Sequence, residues 1–416
     1  MPGERARMHP AVVLDMGVNA LGVIRSLGRR GVPVFGLSFI EPGVALRSKY
    51  CTVVDRRGVI PSELEYLSCL QSLCRRLPSP PVLFPTSDET LNVLSRYEEE
   101  LSAISRYVLP ERRTLYQILN KDETHRLAEG CGVRVPATWL PTSIDQLTAL
   151  APDLKYPILF KPLNHYNVYL PGLAKNLRFN SEDNLLAFFT ARPDLVYQGV
   201  FQEIIHGGDG HILVCAAYFD RDSQPLAIYT GRKIRQLQPD FGVTSFGVSE
   251  ELPVIAEMTV CLLSKIRFRG LVAVEYVEDR ASGDIYFVEI NARSYYHNGL
   301  FRDCGVDLSW IAYLDAVGDP SLPAELRPRQ RYGRKWLDFA RDARSFRQKR
   351  RAGELGWIPW LSSLPQARSF AVLDFDDPLP FVDGMTRLIG RQIRKPLRRM
   401  RGRSRHPAGD VTRLAQ

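Results

Sequence analysis

The chain has 416 residues, a net charge of +9, 45% hydrophobic residues and 24% charged residues, the make-up of an ordinary globular protein with room for two or three domains. Its basicity does not argue for a specific nucleic-acid partner. Nine Lys and Arg residues, from Arg387 to Arg405, fall in one late segment with no Asp or Glu between them, and the rest of the chain is near balance. No run approaches the ~20 apolar residues of a membrane span. The seven scattered cysteines form no C-x-x-C pair, which argues against a disulfide framework or zinc site and for reduced thiols in a cytoplasmic protein.

The start, "MPGERARMHP", is polar and lacks the apolar core of a signal peptide. Residues 11–60 read as alternating β and α units: "AVVLD" as a strand, "GVNALGVIRSLGRRG" as a turn and amphipathic helix, "VPVFGL" as a second strand. "PVLFPTSDETLNVLSRYEEEL" repeats the pattern, with Thr86, Ser87 and Asp88 as N-cap oxygens. This alternation predicts a parallel, doubly wound sheet over 1–110. Gly17 and Gly22 could let the first turn approach a ligand, but no G-x-G-x-x-G fingerprint is present. A helical stretch is expected over 111–135. A β-rich α+β region follows to about 320: "YPILFKPL", "VFQEIIHG", "HILVCAAYF", "LAIYTGRKIR", a helix near 250–266, then "GLVAVEYVED" and "IYFVEINAR" joined by a Gly-bearing turn. "GDPSLPAELRPRQR" marks a boundary, 321–384 reads as a helical or irregular extension, and 385–416 as a basic tail.

The chemistry concentrates in "IYFVEINAR". Side chains two apart on a strand share a face, so Glu289, Asn291 and Arg293 are expected together, with Glu275 on the preceding strand. Two carboxylates and an amide oxygen form a hard-oxygen set suited to Mg²⁺ rather than zinc or copper.

"FVEINAR" and the acid of "VAVEY", preceded in order by "ILFKP", "FQEIIHGGD" and "GRKIRQ", resemble the ATP-grasp superfamily over roughly residues 11–320. The nearest resemblance is to carboxylate–amine ligases of the D-aspartate ligase type. It implies an α/β pre-ATP-grasp domain at 1–110 and an ATP-grasp fold of two α+β subdomains at 111–320. It also implies ATP and Mg²⁺ (or Mn²⁺) as cofactors, and small carboxylate and amine substrates, among them peptide, cell-wall or glycan precursors. By resemblance, Glu275, Glu289 and Asn291 would hold metal, and Lys121, Lys161 and Lys175 would contact phosphates. Glu203 and Ile205 would flank adenine and Asp209 would meet ribose. Lys233 or Arg235 would meet the γ-phosphate, and Arg293 would steady the transferring phosphoryl group. Tyr295, Tyr296, His297 and Asn298 fall where acceptor contacts are often placed. Asp88 would meet the amine or cap its helix. The loop after Lys161 departs from the resemblance, carrying Gly172 alone.

The tail's Met385, Ile389, Ile393 and Met400 fall near one helical face among arginines, a pattern suited to peripheral contact with an anionic membrane. The expected activity is amide formation through an acyl phosphate, in a cytoplasmic enzyme for which a homodimer is one assembly. The rivals are a biotin-carboxylase-like carboxylase, disfavoured by the lack of a Met-Lys-Met segment, and a non-catalytic ATP-binding regulator at a membrane.

Overall fold

The computed structural model describes residues 8–38, 43–54, 62–162, 177–238, 242–327 and 329–387. The expected tail beyond residue 387 lies outside them. No helix among the described residues is long and apolar enough to cross a membrane.

Four short parallel strands open the chain: β1 (Ala11–Leu14), β2 (Val34–Leu37), β3 (Thr52–Val53) and β4 (Val82–Pro85), in the order β3-β2-β1-β4. All four residues of β1 are buried, because helices cover both faces. Ala11 and Val13 pack towards the helix Val18–Gly28, while Val12 and Leu14 pack with Leu70 and Leu73 of the helix Glu63–Arg76. Gly22 serves packing. A Cβ there would lie 2.7 Å from the Asn298 Cβ, so the glycine lets the helix Val18–Gly28 seat against the helix Asn298–Asp303.

A small antiparallel sheet follows, β5 (Thr138–Trp139), β6 (Ile158–Pro162), β7 (Leu177–Phe179) and β8 (Gly199–Glu203), ordered β5-β8-β6-β7. Phe160 meets Phe189 at 5.0 Å and Phe201 at 5.1 Å between ring centres, giving this lobe its own aromatic core.

The large sheet holds β9 (Ile212–Phe219), β10 (Pro225–Leu237), β11 (Val243–Ser249), β12 (Gly270–Glu278), β13 (Ile285–Asn291), β14 (Lys335–Leu337) and β15 (Ala367–Phe370). Their order is β13-β12-β9-β10-β11-β14-β15, with only the β14–β15 pair parallel. β9 is buried along its whole length and feeds two cores by alternation. Leu213, Cys215 and Ala217 meet the helix Pro253–Lys265, and Val214, Ala216 and Tyr218 meet the helix Leu308–Val317 and the N-terminal unit.

Three features depart from the sequence reading. The helical stretch over 111–135 is two helices, Arg112–Leu119 and Lys121–Glu129, broken at the extended Asn120. β11 was not anticipated. The 321–384 stretch, expected as helical or irregular, contributes β14 and β15, which are too short to show a period of their own and complete the edge of the sheet. This stretch also returns to the N-terminal unit. Asp377, wholly buried, accepts from Arg25 Nε at 3.0 Å, Ser48 Oγ at 2.7 Å and the Lys49 amide at 2.9 Å.

Candidate functional site

The hairpin β12–β13 sets Glu275 directly opposite Glu289 and Ala273 opposite Asn291. Directly opposed residues bring their Cβ atoms within about 5 Å, so the two carboxylates share one spot on the sheet. A bulge makes this possible. Tyr276 pairs with Phe287, leaving Val288 as the extra residue, and the bulge reverses which face the strand presents. Phe287 lies in the core under the helix Pro253–Lys265, whereas Glu289 is exposed. Plain alternation would have put both on one face.

Two hydrogen-bonded arms spread from this pair. On one, the Asn291 amide donates to Glu289 Oε1 at 3.2 Å, and Asn291 Oδ1 accepts from Arg293 Nη2 at 3.2 Å. Arg293 Nε then donates to Asp88 Oδ1 at 2.7 Å. Burial opposes the Arg293 charge, but Asp88 and then Glu289 more than offset it, so its pKa is displaced upward and the guanidinium stays charged. On the other arm, buried Glu275 accepts from Lys233 Nζ at 2.6 Å and from the Tyr295 hydroxyl. Burial and the Glu275 carboxylate push the Tyr295 phenol well up, keeping it a donor.

Asp88 opens the helix Asp88–Arg96, but Ser87 supplies the cap by accepting from the Thr90 amide, which frees the Asp88 carboxylate for Arg293. Asn19 fastens the N-terminal unit to the same place. Its amide donates to the carbonyls of Thr86 (2.7 Å) and Ser294 (2.6 Å), and its Oδ1 accepts from Ser294 Oγ and Asn298 Nδ2, both at 2.7 Å. Asn298, expected to face a substrate, thus spends its amide on this joint. His297 is 4% exposed and its Nε2 has no hydrogen-bond partner among the described residues. Burial, then Lys233 and Arg341, hold its pKa well below the usual value, so the ring is neutral. The Tyr296 hydroxyl donates to Asp338, and Arg341 lies over its ring at 4.5 Å.

Arg235 is set apart. Past a bulge in β10, its guanidinium grips buried Asp342 of the helix Phe339–Arg351, Nε to Oδ1 at 2.8 Å and Nη2 to Oδ2 at 2.9 Å. Ser245 Oγ (2.9 Å) and Trp360 Nε1 (2.8 Å) donate to the same carboxylate. Only Lys233 of the two candidates therefore reaches the paired glutamates. Asp209 forms an ion pair with Lys349 of that C-terminal helix at 3.0 Å. Glu203 ends β8, its amide donating to the Ala137 carbonyl at 2.9 Å, and the Ile205 carbonyl accepts from Gly207 at 2.9 Å. Lys161 is half-buried in β6 opposite Val200. Lys121 begins its helix, with its side chain outside the described portion, and Lys175 lies outside the described residues altogether.

Asn19, Asp342 and Lys349 were not singled out from sequence. The helix containing the last two reads there as a basic run, and nothing in that run marks Asp342 as buried.

The donor set suits a hard divalent cation in type and placement: two opposed carboxylates with an amide oxygen beside them. No group of three or more His, Cys, Asp or Glu side chains fit to hold a metal occurs among the described residues. A cation here would thus rest on two carboxylates and need oxygens from water and a phosphate-bearing ligand, the usual habit of Mg²⁺.

No family profile matches the chain, and no curated protein does. Solved structures do. An L-amino acid ligase from Bacillus licheniformis superimposes with a TM-score of 0.55 at 15% identity, over 79% of this chain and 79% of that one. N5-carboxyaminoimidazole ribonucleotide synthetase from Thermus thermophilus gives 0.55 at 15% identity, over 74% and 79%. The biotin carboxylase domain of Hydrogenobacter thermophilus 2-oxoglutarate carboxylase, solved with MgADP and bicarbonate, gives 0.58 at 15% identity, over 79% and 73%. Identities this low speak to architecture alone, and on that architecture the chain has the mixed α/β ATP-grasp fold.

Proposed function

We propose that this chain is an ATP-dependent ligase that activates a small carboxylate as an acyl phosphate and couples it to an amine. The observation that carries the reading is the opposed pair Glu275–Glu289, continued through Asn291 to a charged Arg293 and flanked by Lys233. A binding protein has no need of so dense a set of phosphate-directed groups around one carboxylate pair.

In this reading Glu275, Glu289 and Asn291 hold Mg²⁺, whose contribution is to neutralise charge on the ATP phosphates. Lys233, already within 2.6 Å of Glu275, meets the γ-phosphate. Arg293 steadies the equatorial oxygens as the substrate carboxylate oxygen attacks the γ-phosphorus and the bond to the bridging oxygen of ADP breaks. The amine nitrogen then attacks the acyl carbon, the carbon–oxygen bond breaks to release phosphate, and the proton lost by the nitrogen passes to water. Catalysis of this kind is positioning and charge neutralisation, so a neutral His297 is no obstacle. Asp88 anchors Arg293 and fixes where its charge lies. Lys121, Lys161 and Lys175 are assigned to the phosphates, and Glu203 and Ile205 to adenine. Asp209 would meet ribose by exchanging its ion pair with Lys349.

The test is ADP release, screened over amino acids with candidate amines and with bicarbonate in a parallel arm. Glu289→Gln should lower turnover at least 10²-fold while leaving the melting temperature within about 2 °C, because Glu289 is exposed and glutamine keeps an oxygen for the Asn291 amide. Unchanged turnover would sink the metal role. ADP release with bicarbonate and no amine would favour carboxylation over amide formation.

A further inference from the structure

The helix Val18–Gly28 joins two regions. Asn19 at its start belongs to the joint beside Arg293, while Arg30, just past its end, borders a separate cavity. At 1.5 Å per residue these ends are about 16 Å apart. The cavity has a volume of about 340 Å³, and its wall carries Arg30, Arg302, Arg329 and Arg331 against Asp307 and Glu325.

The carboxylate of Asp307 is already engaged, accepting from Ser26 Oγ at 2.7 Å and Arg30 Nη1 at 2.8 Å. Arg331 spends one Nη2 hydrogen bond on the Asp303 carbonyl, at 2.8 Å, and has no ion pair among the described residues, nor does Arg329. Two further donors are buried and unspent. Trp310, 8% exposed, and Arg302, whose Nε and Nη2 hold Asp303, leave Nε1 and Nη1 respectively without a partner among the described residues. A buried N–H left unmade is costly, and the two residues that carry these groups both line a wall already in excess of positive charge. Gly305, Ile311, Glu325 and Arg329 also border an adjoining groove of about 440 Å³. Its lining carries an apolar set, Leu226, Ile228, Leu252, Pro253, Val306 and Leu326, beside the polar Thr230, Glu251 and Gln330.

We propose that this cavity and groove bind an amphipathic oxyanion, with a phosphate or carboxylate head on the arginines and an apolar chain along the groove. The fork geometry of guanidinium matches both head groups, and the excess of donors selects an acceptor-only partner. The cavity alone is too polar for a hydrocarbon, and the groove alone offers little to fix a charge, so only a ligand with both parts uses both. This site is independent of the assignment made for Glu275 and Glu289.

Calorimetric titration of the full chain with octyl phosphate, octanoate and inorganic phosphate tests the proposal, each with and without Mg²⁺–ADP. Octyl phosphate or octanoate should bind at least tenfold more tightly than inorganic phosphate, and the tighter of the two identifies the head group. Mg²⁺–ADP should change that affinity by less than twofold. Arg329→Ala with Arg331→Ala, both exposed positions, should weaken it at least tenfold with unchanged melting. Arg329→Gln with Arg331→Gln, which removes both charges but keeps polar side chains, should weaken it severalfold if the alanine double variant is poorly folded. Equal affinity in wild type and the well-folded variants, displacement by Mg²⁺–ADP, or no binding of either octyl probe would each overturn the proposal.

Discussion

Replacing Arg235 by Met would separate structural from catalytic charge on β10. The guanidinium is bidentate to Asp342, which is wholly buried and, among the described residues, has Ser245 and Trp360 as its other side-chain donors. Methionine keeps the length of the side chain and its contact with Phe246, over whose ring Arg235 now lies at 4.3 Å, but strands a buried carboxylate. Breaking one side of such a pair costs about 3–5 kcal/mol, most of it the penalty on the charge left behind. Asp342→Asn in the same chain removes that charge while keeping one acceptor for Ser245 or Trp360, and should recover about half the loss. Urea titration followed by tryptophan fluorescence reads the sequence of effects, with hydrogen exchange over 339–363 localising them. ADP release by the double variant should stay within about threefold of wild type, since the β10 cation beside the paired glutamates is Lys233. A single variant costing under 1 kcal/mol would refute the energetic reasoning. A double variant that regains stability yet loses turnover would return Arg235 to the phosphate site.

Lys233→Met should behave in the opposite way, lowering ADP release at least 10²-fold even at a urea concentration where the protein is fully folded; retention of turnover would count against its assignment. His297 is held neutral by burial and by Lys233 and Arg341, so its folded pKa lies below the unfolded one. The unfolded chain then binds the extra proton, and stability falls as pH drops below about 6.5, by up to about 1.4 kcal/mol per pH unit. His297→Gln should flatten that slope between pH 6.5 and 5, and an unchanged slope would place the titration elsewhere. Asn19→Ala removes a side chain with four short hydrogen bonds within one buried joint and should cost about 2–4 kcal/mol, visible as earlier proteolysis between the N-terminal unit and the large sheet.

The hairpin was legible because strand alternation and residue chemistry coincide in "VEIN", and the two β-rich regions were legible from apolar runs bounded by glycine and proline. What failed did so for identifiable reasons. The bulge at Val288 is invisible in a pattern that assumes strict period two, although it decides which face Glu289 occupies. Arg235 and Lys233 are two apart on one strand and equally basic, and only a bulge and an aspartate 107 residues later tell them apart. Asp88 stayed open between meeting an amine and capping its helix because local signals cannot show that Ser87 supplies the cap and Arg293, 205 residues on, takes the carboxylate. Pairings at such separations leave no periodic trace.

The burial of Arg25 against Asp377 has a bearing on biosynthesis. The two are 352 residues apart, so at roughly 5–20 residues per second the partner is made roughly 20–70 s after the arginine. Throughout that interval the first helix carries a cation that its finished surroundings will enclose. The nascent amino-terminal unit is therefore expected to acquire its mature protection from proteases only after the ribosome has released the far end.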